Sequence, residues 1–325
     1  MALVSLSAFD TQKQSPMTTD RYKRKMNFLM ATFNKTPEWI LTHPTDMHNL
    51  LTQKYDNPKS LVGYITPICK LLAIHPIFMK RNAKAYEAWK DLLLKYNRQV
   101  RATYNKNQMT ENQRENMVEF EALKRKFCEL QRDAAVESNF KLHMQYVLFA
   151  VFLNTIPKRA DLGEVYVSRN HMLPKRFLQK NYILLRDTDP VLVLNDYKTR
   201  KTYGTLTEAL KPELVTILKR SFELFPRDYL IMSNYQDDLR PYTKKNSYSQ
   251  FVKRAFKKHF DAAMGVSLWR RVYIAEHVSF DKQTNEEIMK NARLAGHSLE
   301  TQMRVYKSTN IKKRSEEEKA RASSC

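Results

Sequence analysis

The sequence predicts a mostly α-helical (α+β) protein of two domains, the second carrying a small antiparallel sheet. Three observations lead there. Apolar residues recur at helical spacing over most of the chain. Between 182 and 206 that pattern gives way to three short β-branched or apolar runs bounded by turn residues. Pro37, Pro44, Pro58 and Pro76 cut the first hundred residues into short segments.

Residues 1–16 read as a flexible tail, polar and small. Thr18 or Thr19 is then placed to cap a helix with the apolar stripe Tyr22, Met26, Leu29, Met30 and Phe33. Segments near 39–41, 47–51 and 61–74 supply further helices, so 17–105 reads as a helical domain. Its polar faces are rich in lysine and arginine. The NKNQ stretch at 105–108 serves as a linker, and 106–325 forms the second domain. Thr110 and Gln113 have capping-box spacing, which opens a long helix to about residue 131. The segment 140–155 is apolar on most sides and is therefore expected to be a buried helix, stopped by Pro157. Strands are expected at 182–185, 191–194 and 202–206, and helices return after Pro212. The tail 307–325 is polar and charged.

Of the 325 residues, 56 are Lys or Arg and 34 are Asp or Glu, a net charge of +22. Such a surplus suits a polyanion, with nucleic acid ahead of an anionic membrane surface. A membrane partner is disfavoured because the charges do not sit opposite a continuous apolar face. Only 5 glycines occur, and neither GxGxxG nor GxxxxGK[ST] is present, which argues against a phosphate loop. Cys69, Cys128 and Cys325 are too few and too scattered for a disulfide framework or a zinc cluster. The expectation is a soluble, intracellular, DNA-associated protein with no cofactor and no metal.

The candidate chemistry starts at the end of the chain. In LAGHSLETQMRVY (294–306), His297 stands nine residues ahead of Tyr306. A phenol, with a pKa of about 10, needs a cationic neighbourhood before it can attack phosphorus. Arginines supply one, because each planar fork donates to two phosphate oxygens and stabilises the charge of the transition state. Arg159 follows an apolar helix, Lys198 falls in a hairpin turn, and Arg270 lies upstream of the histidine. Together these residues suit metal-free attack on a phosphodiester. Singly, each has an ordinary reading: Arg159 complements a helix C-terminus, Lys198 joins Arg200 and Lys201 in a solvated charge run, and Tyr306 is one of 17 tyrosines.

GHSLETQMRVY resembles the GHSSxxTTxxY signature of the tyrosine recombinases, the lambda-integrase superfamily. IPKRADL (156–162) resembles their first arginine box, TGLRxSEL, and SLWRRVYIAEH (267–277) their second, HxLRHTFAT. NDYKTRKTYG (195–204) resembles the strand-turn-strand that bears their lysine. The wording of the first box and of the hairpin is similar to integrase-like proteins of large eukaryotic DNA viruses and mobile elements. Motifs cover 106–325, while 17–105 matches a core-binding-like, DNA-binding domain by helix content and position.

The resemblance implies that Arg159 and Arg270 clamp the scissile phosphate and that His297 donates to it. It implies Lys198 as general acid to the departing 5′ oxygen, with Lys201 as the competing choice, and Tyr306 as nucleophile. Arg270 fits the box best, and the adjacent Arg271 is the one-residue alternative. Ser267 stands where the family has a histidine, so another group must take the Tyr306 proton. The family's acidic residue comes one position early, as Asp161, from where it would orient Arg159. Basic clusters add candidate DNA contacts: Arg21, Lys23, Arg24 and Lys25 in the first domain, and Lys244, Lys245, Lys253, Arg254, Lys257 and Lys258 in the second.

The implied function is site-specific recombination or integration on double-stranded DNA, by a homo-oligomer that is a tetramer on two sites when active. Two alternatives stay open: a topoisomerase of the same chemistry, and a DNA-binding protein of this fold with impaired catalysis.

Overall fold

The computed structural model describes residues 4–12, 14–105, 109–169, 173–235, 238–279 and 282–303. The chain divides into two compact units, Met1–Lys106 and Asn107–Cys325.

The first unit is built from α1 (Pro16–Phe33), α2 (Pro37–Thr42), α3 (Pro44–Lys54), α4 (Pro58–Ile74), α5 (Pro76–Arg81) and α6 (Ala83–Asn105). The prolines that punctuate the sequence are the first residues of α1 to α5. A helix leaves its first N–H groups unbonded, so a residue that lacks one and has φ already set fits there. Ser15, not Thr18 or Thr19, caps α1 by accepting from the Thr18 N–H; Thr19 is instead buried. Met26, Leu29, Ile40, Leu41, Leu51, Ile65, Ile68 and Trp89 are all fully buried around α4, and the Trp89 indole donates to the Leu41 carbonyl at 3.2 Å.

The expected flexible tail over 1–16 is corrected. A short 3₁₀ helix, Leu6–Thr11, presses a fully buried Phe9 against Tyr22, and the Val4 N–H donates to Glu38 at 2.8 Å. One aromatic ring with an apolar pocket outweighs the polar composition around it.

The second unit opens with α7 (Glu111–Glu115), α8 (Phe120–Arg132), α9 (Ala135–Ser138) and α10 (Phe140–Asn154). Thr110 and Gln113 make the expected capping box, but the helix they open is a single turn. The expected long helix to 131 ends at Glu115; the Val118 N–H beyond it donates to Met264 Sδ at 3.3 Å, and α8 starts afresh. Helix α10 is buried on nearly all sides, as its composition predicts. Its polar residues are bonded inside the core, His143 to Ser221 and Val136, and Gln145 to His259.

Strands β1 (Val165–Ser168), β2 (Asn181–Leu184), β3 (Val191–Leu194) and β4 (Leu206–Ala209) form one sheet in that order. β1 and β2 are parallel and the other pairs antiparallel, so the sheet is mixed rather than antiparallel. The run expected as a strand at 202–206 is instead a one-turn helix, α11 (Arg200–Tyr203), followed by the β4 strand. Tyr197 donates its hydroxyl to the Gly204 carbonyl, and Gly204 (φ 68°) turns the chain out of that helix. Then come α12 (Pro212–Leu224), the hairpin β5 (Met232–Tyr235) and β6 (Asp238–Pro241), α13 (Lys245–Phe260), α14 (Val266–His277), α15 (Asn285–Leu294) and α16 (Leu299–Thr301). The unit is thus mostly helical, with one small mixed sheet and one small antiparallel one. Among the described residues, no helix is long and apolar enough to cross a membrane.

Candidate active site

Arg159 owes its position to the end of α10. Pro157 bars the helix from continuing, and the Ile156 N–H donates to Glu208 Oε1 at 2.7 Å. Arg159 then enters a 3₁₀ turn, Ala160–Glu164, in an extended conformation, half-buried. Helix α13 packs closely on this turn at Gly163, where an added Cβ would fall 2.8 Å from Tyr248 Cβ and 2.9 Å from the Tyr242 carbonyl oxygen.

Lys198 is exposed in the connection between β3 and α11. The base of that connection is fixed by the buried Asn181, whose Oδ1 accepts from the Asn195 and Asp196 N–H groups. Its Nδ2 donates to the carbonyls of Asp196 and Asp161, joining the lysine loop to the arginine turn. On the other side Thr199 Oγ1 donates to the Gly296 carbonyl at 2.8 Å.

Arg270 is on α14, which is anchored by a fully buried Trp269 stacked on both Phe152 and Phe120. Its guanidinium donates to the Ala295 carbonyl at 2.9 Å and to His297 Nδ1. An arginine can only donate, so Nδ1 is the acceptor and the imidazole proton sits on Nε2. That Nε2–H is donated to Gln302 Oε1 at 3.0 Å. Burial first, then the charges of Arg270 and Arg159, push the His297 pKa down to about 3, so the ring is neutral near pH 7. Arg159 is therefore near enough for its charge to be felt at His297.

Arg159, Asp161, Lys198, Lys245, Ser249, Lys253 and Ser267 line one cleft of about 570 Å³, with Asn112, Gln113 and Asn116 of the α7 segment also on its wall. Lys245, Ser249 and Lys253 are four residues apart and share one face of α13, while Tyr248, Phe251, Val252, Ala255 and Phe256 are buried on the opposite face. Among the described residues, four cations face a single carboxylate in this cleft, which suits an anion. Arg270 and His297 are almost wholly enclosed, 1% and 2% exposed.

Four of the expected residues, Arg159, Lys198, Arg270 and His297, are thus joined through short chains of contacts although they span 159–297. Tyr306 and the tail 307–325 lie outside the described residues. Asp161, expected to orient Arg159, lines the same cleft and pairs with Lys245 at 2.8 Å. Arg271 is buried and its Nη1 lies 3.5 Å from Gln113 Oε1, and Lys201 is exposed on α11. Lys244, Arg254, Lys257 and Lys258 are exposed on or beside α13, Lys257 paired with Asp261 at 2.6 Å.

In the first unit the basic cluster is partly engaged within its own fold. Lys23 pairs with Asp10 at 2.6 Å, Lys25 Nζ lies 4.4 Å from the centre of the Tyr64 ring, and Arg21 packs over Tyr22. Arg21 and Arg24 keep exposed side chains.

Sequence reasoning overlooked Lys158, Asn181, Glu208 and Gln302. Lys158 stands inside the quoted motif IPKRADL, and its signal was a charged residue directly behind a buried helix. Asn181 and Glu208 are polar residues in short strands whose partners are remote in sequence, and Gln302 meets His297 from five residues on. Among the described residues, no group of three or more His, Cys, Asp or Glu side chains is arranged to hold a metal ion.

No protein-family model matches the chain, and no curated protein does. Among solved structures the chain is similar to a XerA recombinase, with a TM-score of 0.40 and 14% identity, over 95% of this chain and 96% of that one.

Proposed function

We propose that this chain is a tyrosine recombinase that cuts and rejoins double-stranded DNA through a covalent bond to Tyr306. The convergence of Arg159, Lys198, Arg270 and His297, drawn from four separate motifs, carries the reading. A cationic cleft beside a buried arginine–histidine pair suits a phosphodiester that gains negative charge as it reacts.

In this reading the Tyr306 phenolate attacks phosphorus and the bond from phosphorus to the 5′ oxygen breaks. Lys198 gives its proton to that oxygen, and a 3′-phosphotyrosyl link remains. Reversal by a 5′ hydroxyl rejoins the strand, so no ATP is consumed. Arg159 and Arg270 neutralise the non-bridging oxygens. Lys253 and its neighbours on α13 hold flanking phosphates, which fixes register without reading sequence. Site-specific exchange calls for two DNA sites held by a tetramer of this chain.

Two observations favour a second reading, a DNA-binding protein of this fold with impaired catalysis. Ser267 replaces a candidate base, and the His297 Nε2–H is already donated to Gln302. Nicked DNA carrying the native target separates the two on a denaturing gel. A covalent adduct formed by wild type and lost in Tyr306→Phe supports the recombinase. Tight binding with no adduct supports the second reading. Relaxation of supercoils without paired sites would reassign the same chemistry to a topoisomerase.

A further inference from the structure

Lys158 is the most deeply buried lysine near the cleft, 3% exposed, and it reaches two other parts of the second unit at once. Its Nζ lies 2.5 Å from Glu208 Oε2 and donates to the Leu294 carbonyl at 2.8 Å. The other Glu208 oxygen accepts from the Ile156 N–H at 2.7 Å, so this one carboxylate grips both ends of 156–158. Glu208 is on β4, opposite Leu192 of β3, the strand that leads into the Lys198 loop. Leu294 ends α15, three residues before His297.

We propose that the Lys158–Glu208 ion pair is a positioning device that holds the Arg159 backbone in register with the turn carrying His297. This rests on reading the cleft as the cleavage site.

Stability alone does not account for the pair. Taking an ammonium and a carboxylate out of water is costly, and a well-packed apolar pair of the same volume is often at least as stable. Burial indeed lowers the pKa of Lys158, and Glu208 opposes that shift while Arg270 adds to it. An apolar pair would lack direction. The ammonium must meet a carboxylate on β4 and a carbonyl at the end of α15 together, and this leaves one position for residue 158. Arg159, the next residue, inherits that position. The third tie, from Thr199 to Gly296, closes the circuit through the Lys198 loop.

The test compares two variants of the full chain with wild type. In the first, Lys158→Met joined with Glu208→Gln removes both charges and keeps the acceptor for Ile156. In the second, Lys158→Arg keeps the charge but alters the reach. Thermal unfolding, DNA affinity and single-turnover cleavage are measured for each. The expected result is near-native unfolding and affinity in at least one variant, with cleavage down about a hundredfold, the scale of a misplacement near 1 Å. Cleavage at the wild-type rate in a variant of native stability would overturn the proposal, since the pair would then be structural only. If wild type forms no adduct on its native target, the recombinase reading fails separately. The ion pair is then judged on the imidazole resonances of His297 in the same variants. Displacement of those signals supports the positioning role, and unchanged signals overturn it.

Discussion

The two units carry basic clusters of similar density and use them differently. In the first, RYKRK turns much of its charge onto its own fold: Lys23 meets Asp10 and Lys25 lies on Tyr64. In the second, Lys245 and Lys253 of α13 join Arg159 and Lys198 in one cleft against the single carboxylate of Asp161. A run of positive residues in a sequence therefore says little about where an anion binds. What distinguishes the second unit is that cations from three parts of the fold converge and leave charge unneutralised.

The comparison breaks most sharply at Arg159. Arg159→Ala is expected to slow single-turnover cleavage at least about a hundredfold, the scale for one transition-state donor, and to change DNA affinity far less. An unchanged rate would remove the cleft from the chemistry.

Two glycines offer a second contrast. At Gly163 a methyl group would meet Tyr248 Cβ and the Tyr242 carbonyl, neither free to move. Gly163→Ala should cost about 1–3 kcal/mol in urea unfolding, the usual range for overpacking. At Gly63 the same methyl would come 2.3 Å from Lys25 Nζ, the far end of a flexible side chain. Gly63→Ala should displace that ammonium from Tyr64 and leave stability level or slightly raised, since alanine is the better helix former. Equal losses at both positions would contradict this.

Acid should divide the units too. Burial holds His143, His277, His259 and His297 of the second unit below the ordinary 6.5, the last two at about 4 and about 3. In the first unit His48 is lowered as well. These folded values are depressed, so the unfolded chain binds protons first as pH falls. Their contribution is intact above about pH 6.5 and is lost as pH drops through 4 towards 3. Unfolding curves between pH 7 and 4 should fall more steeply for the second unit, and His297→Gln should flatten that slope by up to about one proton.

The smallest effect expected is in salt dependence. Lys253→Gln should reduce the slope of log affinity against log salt by about 0.9, one phosphate contact. Lys23→Gln should change it less, because that ammonium already sits on Asp10. A reversed order would relocate the main DNA contact to the first unit.

Much of this arrangement was legible in the chain itself. The apolar stripe of α1 and the all-round apolar composition of α10 predicted their burial, and the order of the arginine, lysine and histidine motifs anticipated their meeting. What escaped notice was decided at long range. Phe9 draws a polar tail into the core, and past the one turn that Thr110 and Gln113 open, the Val118 N–H finds Met264, 146 residues away. The partners of Lys158 lie 50 residues away at Glu208 and 136 away at Leu294. Periodicity and capping are local signals and carry no information about such pairs. Gln302 escaped for another reason: its partner His297 is only five residues away, but its meaning depends on which histidine nitrogen it finds.

Gly296 has a consequence of another kind. Its φ is +71°, yet a Cβ built there would come no closer than 3.6 Å to Thr199 and 3.7 Å to Tyr197. The site has room for a Cβ, so at that atom glycine is required for handedness rather than for space. An L-residue would meet torsional strain of about 1 kcal/mol, not a collision. Asparagine, which tolerates that region best among residues with a side chain, should be the mildest replacement, and a β-branched residue the harshest. The turn that delivers His297 thus selects by chirality before it selects by size.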